Sequence, residues 1–182
     1  WEYLKNYEFE LPTIKEQRRL ADLLWAAYEL KESYKKLLAA TDEMVKAKFG
    51  AKFNHLFSKN DGCTTIEDVC DVFCDGDWIE SKDQSDSGIR LIQTGNVGDR
   101  EYNDKAEKSR YISEETFSRL NCTEVQAFDI LISRLPDPIG RACMLPEDIV
   151  RSITAVDCTI VRLKPIITPA FFLVFTSTSL YK

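Results

Sequence analysis

The sequence is poor in the residues from which metal and nucleophile sites are usually built. It contains one histidine, His55, and its six cysteines include no C-x-x-C pair, so a structural zinc site is not expected. We expect no other metal ion and no cofactor. Cys70, Cys143 and Cys158 lie among apolar neighbours, which favours reduced, buried thiols in a cytoplasmic protein.

Long apolar runs and leader signals are also absent. No run of 18 apolar residues occurs, and the richest stretch, residues 166–180, contains Pro169, so a membrane span is not expected. The chain begins at Trp1 with no basic and no apolar leader region, so we expect no signal peptide. The glycine-rich phosphate loops and the N-P-P-Y-type tetrapeptide of adenine methyltransferases are missing. These absences argue against nucleotide binding through such loops and against adenine methyl transfer. We expect that the chain is not an enzyme.

A long helix is the clearest feature that is present. Residues 13–49 contain no Gly and no Pro, and Thr13 and Glu16 have the spacing of a capping box at the start. Apolar residues then recur at seven-residue intervals, which predicts a coiled-coil-type seam that contacts a partner helix. The predicted seam consists of Leu20, Leu23, Leu30, Tyr34, Leu37 and Met44. A core helix wrapped by its own domain is the alternative interpretation.

The pattern changes from residue 50 onward, where short β-rich runs alternate with turn residues. Strands are predicted at residues 89–93, 130–133 and 158–163, and helices at residues 113–120 and 169–180. The predicted fold class is α+β: a long coiled-coil-type helix followed by a mixed α/β domain at residues 50–182. Residues 1–12 have the period-two pattern of a strand, and we expect both ends to be cut from a longer chain.

The net charge of −6 argues against a general polyanion binder, but the acidity is local. Residues 50–99 carry four basic and ten acidic side chains, whereas residues 100–182 carry eleven of each. In the second stretch, basic residues alternate with aromatic and small polar ones. Charge alone is compatible both with a nucleic-acid surface and with an ordinary solvated surface.

Several motifs resemble those of the specificity subunits of type I restriction–modification systems. The segment LPTIKEQRRLADLL (residues 11–24) resembles the P-x-x-E-Q-x-x-I-A start of the long helix in that family. GIRLIQTGNV (residues 88–97) resembles its strand and turn, and YIS (residues 111–113) its Y-I-S element. FDILISR (residues 128–134), followed by IGR (residues 139–141), resembles its G-D-I-L-x-x-R and G-x strand pair. Phe128 departs from the family, which usually has Gly there.

The resemblance implies a DNA-recognition subunit that reads one half of a bipartite target. Residues 1–12 would end a first recognition domain, residues 13–49 would form the conserved spacer helix, and residues 50–182 would form an incomplete second target-recognition domain. The implied partners are double-stranded DNA, modification (methyltransferase) subunits and, through them, restriction subunits. A partner helix would come from the rest of the chain or from a second copy.

The candidate DNA contacts lie at strand ends and in basic segments. Arg, Gln, Asn and small polar side chains read base edges, whereas Lys and Arg also hold phosphates. We expect base contacts from Gln93, Thr94, Asn96, Ser133, Arg134 and Arg141. We expect phosphate contacts from Lys105, Lys108 and Arg110. Asn96 in a turn, or Arg134 paired with Asp137, would be the purely structural interpretation.

Two other functions are compatible with the residues. Asp71 followed by Glu80-Ser81-Lys82 fits the loose D…E-x-K pattern of Mg²⁺-dependent nucleases, although Glu29-Leu30-Lys31 shows how readily E-x-K arises in this chain. The other is a protein–protein assembly module without DNA binding, in which the long helix pairs with partners.

Overall fold

The computed structural model describes residues 1–57, 64–136 and 138–181, the side chains of residues 55–57 excepted. The chain divides into two compact units, Trp1–Met44 and Val45–Lys182. No helix among the described residues is long and apolar enough to cross a membrane. Cys63 and Asp137 lie outside the described residues, as does the side chain of His55.

The first unit is helical. A short helix, α1 (Glu2–Lys5), precedes the long helix α2 (Ile14–Phe57), whose first 31 residues belong to this unit. The capping box forms as predicted, since the Thr13 N–H and hydroxyl both donate to Glu16 Oε2, at 3.0 and 2.7 Å. The predicted strand in residues 1–12 is wrong. Residues 7–13 have no regular structure, because a strand needs a hydrogen-bonded partner and Tyr7 and Phe9 stay exposed.

The end of α2 lies eight residues beyond the predicted one. Within the second unit the helix continues through Gly50 to Phe57, although a glycine costs a helix about 1 kcal/mol relative to alanine. Aromatic packing explains the continuation: the rings of Phe49 and Phe53 lie 5.1 and 5.3 Å from the ring of Phe171. Phe49 is buried by these contacts.

The described residues of the second unit form two β-sheets. The strands are β1 (Cys70–Asp75), β2 (Gln84–Ser85), β3 (Ile89–Ile92), β4 (Arg110–Ile112), β5 (Glu124–Val125), β6 (Ile130–Ser133), β7 (Ala142–Met144), β8 (Ser152–Thr154) and β9 (Cys158–Leu163). The first sheet has the order β1-β9-β6-β7 and is antiparallel throughout. The second sheet has the order β2-β4-β3-β8-β5, and within it only β3 and β8 run parallel.

Among the described residues, two short α-helices complete this unit, which confirms the predicted α+β class. Helix α3 (Glu114–Leu120) begins after Ser113, whose hydroxyl accepts the N–H of Thr116 at 3.1 Å. Helix α4 (Pro169–Ser177) begins after Thr168 and covers one face of the first sheet through Phe172. It ends three residues before the predicted end, where Thr178 is extended.

Three apolar clusters hold the second unit together. One lies beneath α4, and one lies in the second sheet around Ile112 and Ile153. The third draws on strands of both sheets, including Ile92 of β3, Leu131 of β6 and Ile160 of β9, all buried. Because this cluster joins the sheets, it fixes the ends of β3 and β6 relative to each other.

Candidate nucleic-acid interface

The turn after β3 is built by reciprocal hydrogen bonds at residues 93–96. The Gln93 N–H donates to Asn96 Oδ1 at 3.0 Å, and the Asn96 N–H donates to the Gln93 carbonyl at 2.8 Å. Asn96 Nδ2 also donates to the carbonyl of Asn103 at 2.8 Å. Asn96 is therefore buried and shapes the turn, whereas Gln93 and Thr94 are half-buried at its surface.

Arg141 ties this turn to the loop between β6 and β7. Its Nε donates to the carbonyl of Val97 at 2.9 Å, and its Nη2 lies 3.4 Å from the carbonyl of Thr94. Its Nη1 donates to the carbonyl of Pro138 at 3.2 Å. Several carbonyl oxygens thus surround one guanidinium, which stabilises two predicted DNA-contacting segments as neighbours.

Ser133 and Arg134 leave β6 in different environments. Ser133 is fully buried, and its hydroxyl donates to the carbonyl of Leu135 at 3.3 Å. Arg134 is exposed and forms an ion pair with Asp75 at the end of β1. Its backbone N–H donates to the carbonyl of Asp157 at 2.8 Å. Exposed ion pairs of this kind contribute about 0–1 kcal/mol, so the guanidinium can exchange Asp75 for another anion at little cost.

The three predicted phosphate-binding residues are all exposed. Lys105 and Lys108 line one shallow groove, and Lys105 Nζ lies over Gly95, 3.1 Å from where a Cβ would stand. Arg110 is on β4, directly opposite Leu91 of β3. Within the described residues Arg110 has no ion pair. The structure thus brings Lys105 to the β3 turn and Arg110 to the strand beside it.

A cleft of about 600 Å³ opens beside the end of β3. Gln93 and Arg110 line it together with Trp78, Lys82 and Asp157. Trp78 is 71% exposed and is not among the predicted site residues. The sequence does contain a signal for it, an aromatic residue within a turn-rich segment. That segment is strongly acidic, and its negative charge argued against a DNA-contacting surface there.

Gly76 sets the geometry of the cleft wall. Its N–H donates to the carbonyl of Cys158 at 2.8 Å, and the next N–H, of Asp77, donates to the carbonyl of Thr154 at 2.8 Å. A Cβ at position 76 would collide with the carbonyl oxygens of Thr154 and Ala155. Only glycine permits this close approach of two backbone segments.

Most carboxylates around the cleft have partners. Lys82 Nζ lies 2.8 Å from Glu80 Oε2 and, by this contact, lowers the pKa of Glu80. The hydrogen bond from Arg119 lowers the pKa of Asp83. Burial raises the pKa of Asp77, whose carboxylate accepts the Thr123 N–H at 3.0 Å. In the part of the chain that the structure describes, no three His, Cys, Asp or Glu side chains are grouped so that they could hold a metal ion.

The predicted seam lies in the first unit. All six of its side chains, from Leu20 to Met44, are between 50% and 65% exposed. They follow one stripe of α2, whereas polar contacts such as Lys35 to Glu32, 2.8 Å apart, lie outside the stripe. An apolar stripe of this length on an exposed helix is typical of a helix–helix contact.

Solved structures of other proteins have folds similar to that of this chain. The HsdS subunit from Thermoanaerobacter tengcongensis matches 94% of the chain with a TM-score of 0.51 and 17% identity. A chain from a structure of complex assembly and conformational transition in the type I R-M system matches 92% with the same TM-score and identity. The chain spans 44% and 42% of those two chains, respectively. No protein-family model and no curated protein matches the sequence.

Proposed function

We propose that this chain is the DNA-recognition part of a type I restriction–modification specificity subunit. It reads one half of a bipartite target, holds modification subunits in place and performs no chemistry itself. The observation that carries the proposal is the HsdS-like fold, which extends over 94% of the chain. The sequence motifs that resemble the same family provide independent support.

The surface at the end of β3 supports a role in reading DNA. In this proposal Lys105, Lys108 and Arg110 hold phosphates, because they are exposed and need no rearrangement. Gln93, Thr94 and Arg134 reach base edges in the major groove. Asn96, Ser133 and Arg141 act with them by holding the β3 turn and the loop after β6 in register.

The long helix supports the scaffolding part of the proposal. Residues 1–12 end a preceding recognition domain, residues 13–49 form the spacer, and residues 50–182 form the second recognition domain. The seam packs against a partner helix from the rest of the subunit or from a second copy. Modification subunits, and restriction subunits through them, assemble on this spacer in the cytoplasm.

The experiment is a selection of duplexes from a random pool by the chain in complex with its modification subunits. We expect one enriched half-site. Arg134→Ala and Gln93→Ala should change the enriched bases, because bidentate base contacts contribute about 1–3 kcal/mol to discrimination. Arg18→Ala, on the exposed surface of α2, is the matched control and should leave the enriched sequence unchanged. Unchanged preference in both the Arg134→Ala and the Gln93→Ala variants would refute the site assignment.

A second candidate, an assembly module without DNA binding, is favoured by the exposed seam alone. It predicts equal affinity for the selected duplex and for a scrambled duplex at every salt concentration. A clear preference for the selected duplex would exclude it.

A further inference from the structure

The cleft beside β3 has the dimensions and lining of a small-molecule site. Its volume of about 600 Å³ falls within the usual range for ligand pockets, roughly 300–1,000 Å³. Leu91, which is buried, lies at its base, and polar side chains stand around it. A mononucleotide is an occupant of suitable size.

Trp78 gives the cleft an aromatic wall. Its ring is 71% exposed, although an indole is among the side chains that gain most from burial. The neighbouring Glu80 is paired with Lys82, whose Nζ lies 2.8 Å from Glu80 Oε2. Trp78 thus stays accessible at the wall of the cleft, and an accessible aromatic side chain can stack on a nucleobase.

The polar groups of the cleft favour a particular class of base. The Gln93 amide can donate and accept together, as it does when it binds adenine. The Asp157 carboxylate is half-buried and only accepts, so it favours an exocyclic amino group. Arg110 lies at the same cleft without an ion pair among the described residues, and a phosphate can bind there.

We propose that this cleft binds an unstacked nucleotide whose base carries an exocyclic amino group at C6 of a purine or C4 of a pyrimidine, that is, adenine or cytosine. Trp78 stacks on the base, Gln93 and Asp157 contact its amino edge, and Arg110 holds the phosphate. That this nucleotide belongs to a DNA strand rests on the proposed function. That the cleft binds a nucleotide of this kind does not depend on it.

The test uses tryptophan fluorescence of the 182-residue chain. The chain has three tryptophans, and Trp1 and Trp25 are exposed in the first unit, so Trp1→Phe/Trp25→Phe leaves Trp78 as the only reporter. We expect dAMP and dCMP to quench it with a Kd of about 1 mM, and dTMP to bind about fivefold more weakly. The matched variant Trp1→Phe/Trp78→Phe keeps only Trp25 and should show no saturable quenching.

Substitutions assign the contacts. Arg110→Ala should weaken dAMP and dCMP about tenfold, the effect of one lost charge-assisted bond. Asp157→Ala should bring dCMP and dTMP to equal affinity. Arg18→Ala, on α2, should change neither. Two results with the Trp1→Phe/Trp25→Phe reporter would overturn the proposal: quenching by dTMP with the same affinity as by dAMP and dCMP, or no quenching by any nucleotide up to about 20 mM, because binding weaker than that is not specific.

A duplex arm separates this proposal from the proposed function. Two duplexes of the same sequence are compared, one fully paired and one with a single unpaired cytosine. If the duplex with the unpaired cytosine quenches Trp78 and the fully paired duplex does not, the cleft is supported as a site for a DNA nucleotide. Duplex binding by anisotropy without quenching in any arm refutes the cleft and leaves the proposed function standing. Quenching by mononucleotides without binding of either duplex supports the cleft and contradicts the proposed function.

Discussion

Phe128 and Asp129, the first two residues of the G-D-I-L-like motif, each have a structural role of their own: one forms a left-handed turn and the other a buried ion pair. Phe128, where the resembled family has Gly, has φ of +67°, in the left-handed region that glycine favours. Its N–H donates to the carbonyl of Leu145 at 3.1 Å, so the turn cannot relax without losing this bond. Asp129 follows, buried, with both carboxylate oxygens on Arg162 at 2.8 and 2.7 Å.

The strain at Phe128 gives a first prediction. Phe128→Gly removes the cost of about 1–2 kcal/mol that an L-residue incurs in the left-handed conformation. Part of this gain is offset because glycine has more conformational freedom in the unfolded chain. We expect the free energy of unfolding to be unchanged or higher by about 1 kcal/mol. Phe128→Val should lower it by at least about 1 kcal/mol, because β-branched residues tolerate positive φ least. Urea unfolding measures both, and a more stable Val variant would contradict the argument.

The buried pair gives a second prediction. Asp129→Ala should lower the free energy of unfolding by about 3 kcal/mol, because it leaves the Arg162 guanidinium unpaired and the Gln126 N–H without its acceptor. Asp129→Ala/Arg162→Met should cost less than the single substitution, since no charge is then stranded. Asp148→Ala, at an exposed position, is the control and should change stability little. A double variant as unstable as the single one would show that the ion pair is not the cause.

At the scale of elements, the longer apolar strands of the core were predictable, whereas the short core strands β7 and β8 and the polar strand ends were not. Ile130–Ser133 and Cys158–Leu163 were predicted to the residue, because continuous apolar runs between turn residues leave little choice of position. Asn96 and Ser133 carry no mark that separates a buried structural amide or hydroxyl from one that reaches DNA. That difference depends on Asn103 and Leu135, which contact them only after folding.

The capping box at the start of α2 gives a pH-dependent prediction. Hydrogen bonds from Thr13 lower the pKa of Glu16, so the ionised carboxylate is favoured in the helix. The stabilisation is therefore present above the ordinary pKa of Glu16 and is lost as the pH falls through the lowered folded-state value. Glu16→Gln should remove this component from the helicity measured by circular dichroism between about pH 2 and 6. Glu43→Gln, which lies in mid-helix, should retain it.

The seam gives the other prediction at this scale. Leu23→Ser/Leu30→Ser/Leu37→Ser removes three apolar side chains, each at least 57% exposed, so the second unit should stay folded. We expect the parent chain to self-associate with rising concentration in sedimentation experiments and the triple variant to remain monomeric, because the variant loses much of the exposed apolar stripe of the proposed seam. Lys15→Ser/Lys31→Ser/Lys36→Ser is a control with the same number of changes on α2. If it abolished association equally, charge rather than the seam would be responsible.

For the whole molecule, the net charge of −6 and a DNA-binding function are compatible because the charges are unevenly placed and locally paired. Asp83 is paired with Arg119, Asp129 with Arg162 and Glu80 with Lys82. The exposed cations Lys105, Lys108 and Arg110 have no ion pair in the described ranges. The net negative charge of the chain repels DNA at long range, so the proposed contacts from these cations would act only at short distance.

This balance predicts a shallow salt dependence. Each neutralised phosphate contributes about −0.9 to the slope of log K against log salt concentration, so three cations account for a slope of about −3. For duplex binding by the 182-residue chain, Lys105→Ala/Lys108→Ala/Arg110→Ala should reduce the slope to near zero and weaken all sequences alike. Lys31→Ala/Lys35→Ala/Lys36→Ala removes three charges from α2 and should leave it near −3. A parent slope far steeper than −3 would mean that basic residues beyond these three contact the phosphates, and that the acidic total is outweighed by a larger surface.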